Sequence, residues 1–297
     1  MRVVVFGANG MLGHQLCLRL ATSLDVWGTV RGDPLDYARY RLLPQERLLG
    51  GIDITDLECV SRVLALSEAE AVVNAIGIIK HRDEAKAAIP SIVTNSLFPH
   101  QLADVCEAAG ARLVHMSTDC VFSGRRGSYT ESDLPDPPDL YGRSKLLGEV
   151  DRPGCLTLRT SIIGWEIERR TGLLEWFATQ RGKRIGGFRK AIYSGVSTAA
   201  IADLIADVLR TRPDLSGVHH VASEPLSKYD LLVRLREKLG WGDIIIEPDD
   251  EFACDRSLVG ERFEAAAGWR APSWDDMLGS LAAEWPRYRQ WRESTDD

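Results

Sequence analysis

Arg2-Val3-Val4-Val5-Phe6-Gly7-Ala8-Asn9-Gly10-Met11-Leu12-Gly13-His14-Gln15-Leu16 decides the fold. An apolar, β-branched run breaks into three glycines at three-residue spacing and resumes as a helical pattern, which reads as buried parallel strand, tight turn and helix. Glycines there let the chain turn sharply, let a phosphate approach the backbone and let helix pack on strand, while exposed N–H groups and the helix dipole favour an anion. Gly7, Asn9, Gly10, Met11, Leu12 and Gly13 are therefore candidate contacts for the pyrophosphate of a dinucleotide. The spacing G-x-x-G-x-x-G departs from the commoner G-x-G-x-x-G.

From this turn the pattern alternates strand and helix. Leu24–Val30 reads as a second strand ending at Arg31, where the adenosine ribose of a dinucleotide would lie. A basic residue there suits a 2′-phosphate, so NADPH is the preferred cofactor, with NADH left open by nearby Asp33. Residues 34–48 look like a connection with a turn of helix, and the segment from Gly51 gives a short strand before a Thr55 N-cap and a helix to about Leu66. Asp53 and Ile54 fall where adenine would sit, although an Asp in a turn often only caps a loop. Ala71–Ile76 is a buried strand whose end, Ala75, Ile76 and Gly77, borders the ligand crevice. Lys80, His81 and Arg82 follow; Lys80 is a candidate substrate contact, a solvated loop being the plainer reading. Ile89–Ala109 is a long helical pattern containing Asn95, taken as a cofactor-side residue, and Arg112–Met116 resumes the sheet. Parallel strands with helices on both faces follow from this alternation.

The strand at Arg112–Met116 releases Ser117-Thr118-Asp119-Cys120-Val121-Phe122-Ser123-Gly124 at the crevice edge. After a proline-rich loop, Asp139 is a plausible N-cap for a helix carrying Tyr141 and Lys145 one turn apart, on one face. A tyrosine titrates near 10 and is a poor acid or base at neutral pH unless a cation lowers it, the part expected of Lys145. Thr118 would hold a substrate oxygen while Tyr141 exchanges a proton with it and hydride moves at carbon. Ser117 is placed on the cofactor side and Asp119 among substrate contacts.

These motifs resemble the extended short-chain dehydrogenase/reductase family, within it the dTDP-4-dehydrorhamnose reductase-like (RmlD-like) sugar-nucleotide reductases. Gly7-x-x-Gly10-x-x-Gly13, Ser117-Thr118-Asp119-x-Val121-Phe122-x-Gly124, Tyr141-Gly142-x-Ser144-Lys145-x-x-Gly148-Glu149 and Arg159-Thr160-Ser161 match in order and spacing, over about the first 165 residues. The resemblance implies Thr118, Tyr141 and Lys145 as catalytic residues, and reduction of the 4-keto group of a dTDP- or UDP-linked 6-deoxysugar in polysaccharide or lipopolysaccharide synthesis. Dehydratases of the wider family carry a Glu beside the Asp of this motif; here Cys120 follows Asp119, which disfavours dehydration. A sugar-nucleotide epimerase on the same site and a non-catalytic NADP-binding regulatory subunit are the alternatives.

The resulting architecture is α/β: a Rossmann-type doubly wound parallel sheet over 1–165, completed by about 191–222, with a smaller mixed substrate-binding lobe from 166–190 and 223–297. In that lobe Arg181–Lys190 is basic and glycine-rich. It would suit a diphosphate through Arg189, with Phe188 available for stacking, or form a solvated loop. Helices are expected at Leu173–Gln180, Ser197–Leu209, Lys228–Leu239 and Trp274–Trp285, and a short strand at Ile244–Ile246. Arg256 and Arg262 are candidate phosphate contacts, and the aromatic end from Trp285 to Trp291 reads as packing or subunit contact. A homodimer is left open.

Composition sets outer bounds. A chain of 297 residues with net charge −7 argues against general nucleic-acid binding but not against a local basic pocket. Six scattered cysteines without a C-x-x-C pair suggest neither zinc nor a disulfide framework, so no metal is expected and a reducing, cytoplasmic setting fits. No leader and no membrane-spanning run is evident.

Overall fold

The computed structural model describes residues 1–79 and 87–293. Lys80, together with His81 and Arg82, lies outside the described residues.

The chain runs β1 (Arg2–Phe6), α1 (Gly13–Leu20), β2 (Asp25–Thr29), a 3-10 helix (Pro34–Tyr40), a 3-10 turn (Gln45–Arg47), β3 (Leu48–Leu49), α2 (Leu57–Ser67), β4 (Ala71–Asn74) and α3 (Ala88–Ser91). A π-helical segment (Ile92–Leu97) joins α3 to α4 (Phe98–Ala108); then come β5 (Arg112–Met116), a 3-10 turn (Asp119–Val121), α5 (Leu140–Leu147), β6 (Cys155–Arg159), β7 (Ile162–Ile163) and α6 (Leu173–Ala178). The remainder is β8 (Arg184–Tyr193), β9 (Val196–Ser197), α7 (Thr198–Thr211), β10 (Gly217–His220), β11 (Leu226–Ser227), α8 (Lys228–Leu239), β12 (Ile245–Asp255), α9 (Glu261–Ala267) and α10 (Trp274–Glu293).

Seven strands form one parallel sheet in the order β10-β6-β5-β4-β1-β2-β3. Progression reverses between β1 and β4, so the crevice at their carboxyl ends is the place where a doubly wound sheet takes its ligand. Val3, Val4 and Val5 are wholly buried and divide between two cores, Val3 and Val5 on the face of α1 and α7, Val4 on the face of α2 and α4. Burial on both faces is why these strands are continuous apolar runs rather than alternating ones. Strand β10 and helix α7 come late in the chain yet belong to this sheet: β10 pairs with β6, and α7 packs on α1.

The smaller sheet is mixed, β11-β8-β12, with β8 antiparallel to β11 and parallel to β12. Its strands are longer than the sequence suggests. The segment from Arg184, basic and glycine-rich, is a ten-residue strand and not a loop, and β12 runs eleven residues from Ile245. Caps also differ in one place. The helix after β3 is capped by Asp56, whose carboxylate accepts from the N–H groups of Glu58 and Cys59, and not by Thr55; the preceding strand is Leu48–Leu49, upstream of Gly51. The long helix containing Asn95 is interrupted by the π segment.

Helix α10 is twenty residues long with Pro286 inside it, and its aromatic side packs on the dinucleotide half. Trp165, Trp241, Trp285, Tyr288 and Trp291 form a chain of ring contacts that ends on Tyr40. That is the packing role of the aromatic end. Among the described residues no helix is long and apolar enough to cross a membrane.

Candidate active site

The glycine turn leaves β1 with Gly7 at φ 86°, a conformation that favours glycine. A Cβ on Gly13 would lie 1.9 Å from the Gly7 carbonyl oxygen, so only a bare backbone lets α1 begin this close to the strand. A Cβ on Gly10, in contrast, would meet only the Gly7 oxygen, at 3.3 Å, leaving its other side open for an anion to approach. This cradle fits a pyrophosphate. Around it the Asn9 amide donates to the Tyr37 hydroxyl and the Glu168 carboxylate, each at 3.0 Å, which ties the tip of the turn to the loop after β7. Met11 is half-buried near Gly172, and the Leu12 side chain is used in the core, so only its backbone is available to a ligand.

Next along the crevice, Arg31 stands exposed after β2 within electrostatic reach of Asp53. Asp53 itself accepts from the backbone and hydroxyl of Thr55, at 2.9 and 2.8 Å; these bonds, aided by Arg31, hold its carboxyl below the ordinary range. It is thus a turn cap as well as an adenine-side candidate, with half-buried Ile54 beside it. Asp33 is committed to capping the 3-10 helix through Leu35 N–H at 2.9 Å, which leaves Arg31 as the charge at the strand end. Ala75 and Ile76 adjoin the glycine turn, Ile76 Cγ1 lying 3.0 Å from where a Gly7 Cβ would be. The buried Asn95 amide then clamps the backbone of Ile78 at 2.9 Å in both directions and donates to Ser144 Oγ at 3.1 Å, so the π segment holds the Gly77 loop against α5. In this structure Asn95 braces the crevice wall.

Helix α5 is capped by Asp139, which accepts from Gly142 N–H at 2.9 Å. A Cβ on Gly142 would sit 2.2 Å from the Cys120 carbonyl oxygen; its absence brings the first turn of α5 onto the Ser117–Gly124 loop. Thr118 caps the short turn there, accepting from Cys120 N–H at 3.1 Å and donating to Asp119 at 3.2 Å, and it is among the groups that act on the Tyr141 hydroxyl. Thr118 and Tyr141 therefore meet at the crevice, with Lys145 one turn further along.

The electrostatics differ from the expectation that Lys145 lowers Tyr141. Burial is the main influence and pushes the Tyr141 hydroxyl above its ordinary value, the Thr118 bond opposing it. The Lys145 ammonium instead donates to the Met116 carbonyl at 2.6 Å; burial lowers its pKa to about 8, with Glu149 acting in the opposite direction. Burial likewise raises Asp119, countered by Arg256.

Ser117, expected on the cofactor side, turns its side chain inward. Its hydroxyl donates to Glu149 at 2.6 Å, and Glu149 is gripped by Arg159 at 2.8 and 2.7 Å, a buried network below the crevice that uses the Ser117 side chain internally. Arg159 reaches His220 at 3.3 Å.

Of the substrate candidates, Asp119 and Arg256 come together. Arg256 bonds the Phe122 carbonyl at 2.9 Å and Cys120 Sγ at 3.6 Å, pinning the end of β12 over the loop. Arg189 is not in this cluster; it forms an exposed ion pair with Asp250 across the small sheet, next to the Phe188–Phe252 ring contact. Arg262 is exposed on α9 near His219. Tyr193 and Lys228, which nothing in the sequence pattern singled out, act electrostatically on Asp119, and Lys228 lies over the Tyr193 ring at 5.7 Å. They come from β8 and α8, more than seventy positions later, and no local spacing announces them.

A family model described as the RmlD substrate binding domain matches residues 1–249. A probable low-salt glycan biosynthesis reductase of Haloferax volcanii is 27% identical over 310 residues, covering 97% of this chain and 99% of that protein. The crystal structure of a dTDP-4-dehydrorhamnose reductase from Bacillus anthracis in complex with NADP superposes with TM-score 0.75 at 22% identity, over 95% of this chain and 99% of the other. A UDP-glucose 4-epimerase of Thermotoga maritima with UDP-glucose gives TM-score 0.78 at 16% identity, over 97% and 99%.

Proposed function

The chain belongs to the RmlD substrate-binding-domain family of dTDP-4-dehydrorhamnose reductase-like, extended short-chain dehydrogenase/reductase proteins, and from that premise we propose that it is an NADPH-dependent reductase of a nucleotide-linked 4-keto-6-deoxysugar. Its product would enter polysaccharide or other glycan synthesis. The observation that carries the reading is the meeting of Thr118, Tyr141 and the Lys145 helix at the carboxyl edge of the sheet, beside a turn whose glycines leave backbone bare for a pyrophosphate.

Gly7, Asn9, Gly10 and Gly13 would hold the pyrophosphate of the cofactor, and Arg31 its 2′-phosphate. When bound, the nicotinamide supplies a hydride to the carbonyl carbon. Thr118 would hold the carbonyl oxygen by turning its hydroxyl proton from Asp119 to the substrate. Tyr141, kept protonated by its raised pKa, gives that oxygen a proton as negative charge develops there. Lys145, one turn along α5 and tethered to Met116, would favour by its charge the tyrosinate that forms. Asp119 and Arg256 face the sugar-nucleotide side, with Arg256 supplying charge for the diphosphate.

Tyr141→Phe tests this. Turnover should fall by about two orders of magnitude or more, as loss of a general acid does, while nucleotide affinity by calorimetry stays within about twofold. Unchanged turnover in that variant would remove Tyr141 from the chemistry.

A further inference from the structure

Helix α10 reaches the glycine turn through two side chains separated by 274 positions in the sequence. His14, at the start of α1, is completely buried. Its Nδ1 lies 2.8 Å from the Gly10 carbonyl oxygen and its Nε2 lies 2.5 Å from the Tyr288 hydroxyl. Gln15 donates its amide to the same hydroxyl at 2.9 Å and to Glu284 at 3.1 Å.

Donor and acceptor rules fix every direction in this chain. The Gly10 carbonyl can only accept, so Nδ1 carries the proton. Burial keeps the ring neutral, pulling its pKa down to about 4, so Nε2 is an acceptor and Tyr288 donates to it. The Tyr288 oxygen in turn accepts from Gln15. Gln15, Tyr288, His14 and Gly10 thus form a one-way series, and hydrogen bonds so aligned strengthen one another.

The series ends on a peptide that matters. In a trans peptide the Gly10 carbonyl and the Met11 N–H point in opposite directions. The oxygen is held toward His14 twice, by the ring at 2.8 Å and by the His14 backbone N–H at 3.1 Å, which turns the Met11 N–H to the other side and prevents a carbonyl oxygen from facing an approaching anion; the ring bond is the shorter of the two and the one the series controls.

We propose that the Gln15–Tyr288–His14 series positions the Gly10–Met11 peptide for the pyrophosphate of the dinucleotide, which makes the C-terminal helix a part of the cofactor site. The inference rests on the cofactor reading above. Tyr288 stands beyond residue 249, where the match to the family model ends. His14, Gln15 and Tyr288 are positioning residues: they act through the backbone and not on the reacting atoms.

The test is calorimetric binding to the full chain of two probes, NADPH and 2′-AMP, the second carrying the 2′-phosphate without a pyrophosphate. Tyr288→Phe removes both hydrogen bonds of the hydroxyl and orphans Nε2, so the NADPH Kd should rise about tenfold while that for 2′-AMP stays within about twofold. Gln15→Met, which removes the outer link together with the bonds to Glu284 and Arg19 but leaves Tyr288 on His14, should raise the NADPH Kd by about threefold. Leu281→Ala is the control: it opens a cavity under the same helix, seven residues before Tyr288, and leaves every hydrogen bond of the series in place, so it should lower the melting temperature without weakening NADPH. Equal NADPH affinity in wild type and Tyr288→Phe would overturn the inference, as would an equal loss in Leu281→Ala. Should Tyr288→Phe not fold, Gln15→Met decides, and wild-type affinity in it would overturn the inference. A wild-type chain that bound neither NADPH nor NADH would refute the cofactor reading itself; binding in wild type with no change in the variants would refute this inference alone.

Discussion

Breaking the Glu149–Arg159 pair is the sharpest test of what holds the crevice together. Both side chains are nearly closed to solvent, 6% and 8% exposed, and Arg159 meets both carboxylate oxygens while Ser117 donates to one of them. Charges about 4 Å apart attract by about 4 kcal/mol at an effective dielectric near 20. Glu149→Gln preserves shape but leaves the guanidinium buried without a counter-charge, a loss of about 3–5 kcal/mol. Stability at pH 7 would be measured by urea unfolding followed through tryptophan fluorescence. Arg159→Met should cost a similar amount, since it strands the carboxylate. The double variant Glu149→Met, Arg159→Met should cost less than the sum of the two singles, because carboxylate and guanidinium leave together and only Lys145, which Glu149 also compensates, loses charge support. A loss below about 1 kcal/mol in Glu149→Gln, or strict additivity in the double variant, would refute the reasoning.

Two further outcomes follow from the same structure. Arg31→Ala should weaken NADPH about tenfold to a hundredfold, the value of a charged hydrogen bond, and NADH by less than about threefold; equal weakening of both would separate Arg31 from the 2′-phosphate. His220 is held near 4, chiefly by burial, whereas an unfolded histidine titrates near 6.5. Its folded pKa is depressed, so its contribution is complete above about 6.5 and is lost as pH falls toward 4. Between pH 7 and 5, the urea midpoint of the wild type should therefore drop further than that of His220→Gln, and parallel drops would contradict this.

Local signals carried much of the account. The apolar run with its glycines, the Asp139 cap and the Tyr141–Lys145 spacing are all written within a few residues, and each is reproduced by contacts of equally short range. The sequence is silent where the deciding partner is remote. The bond of Ser117 to Glu149 and the ion pair of Arg189 with Asp250 on β12 are two such cases, neither announced by local spacing. Arg184–Tyr193 gains its strand character from pairing with β11 and β12, which no glycine-rich pattern reveals. Thr55 and Asp56 are both good caps, and one residue of register chose between them. The lowered tyrosine pKa expected from the Tyr141–Lys145 spacing failed for a related reason: burial outweighs a cation whose nearest acceptor is a backbone carbonyl.

The central claim is net reduction of a keto sugar, and the most direct measurement is NADPH oxidation followed by absorbance with a panel of dTDP- and UDP-linked 4-keto-6-deoxysugars. The account predicts stoichiometric NADPH consumption with at least one of them and its loss in Tyr141→Phe. A chain that binds NADPH yet oxidises it with no member of the panel would contradict the reductase reading, and would favour an epimerase or a regulatory subunit on the same fold.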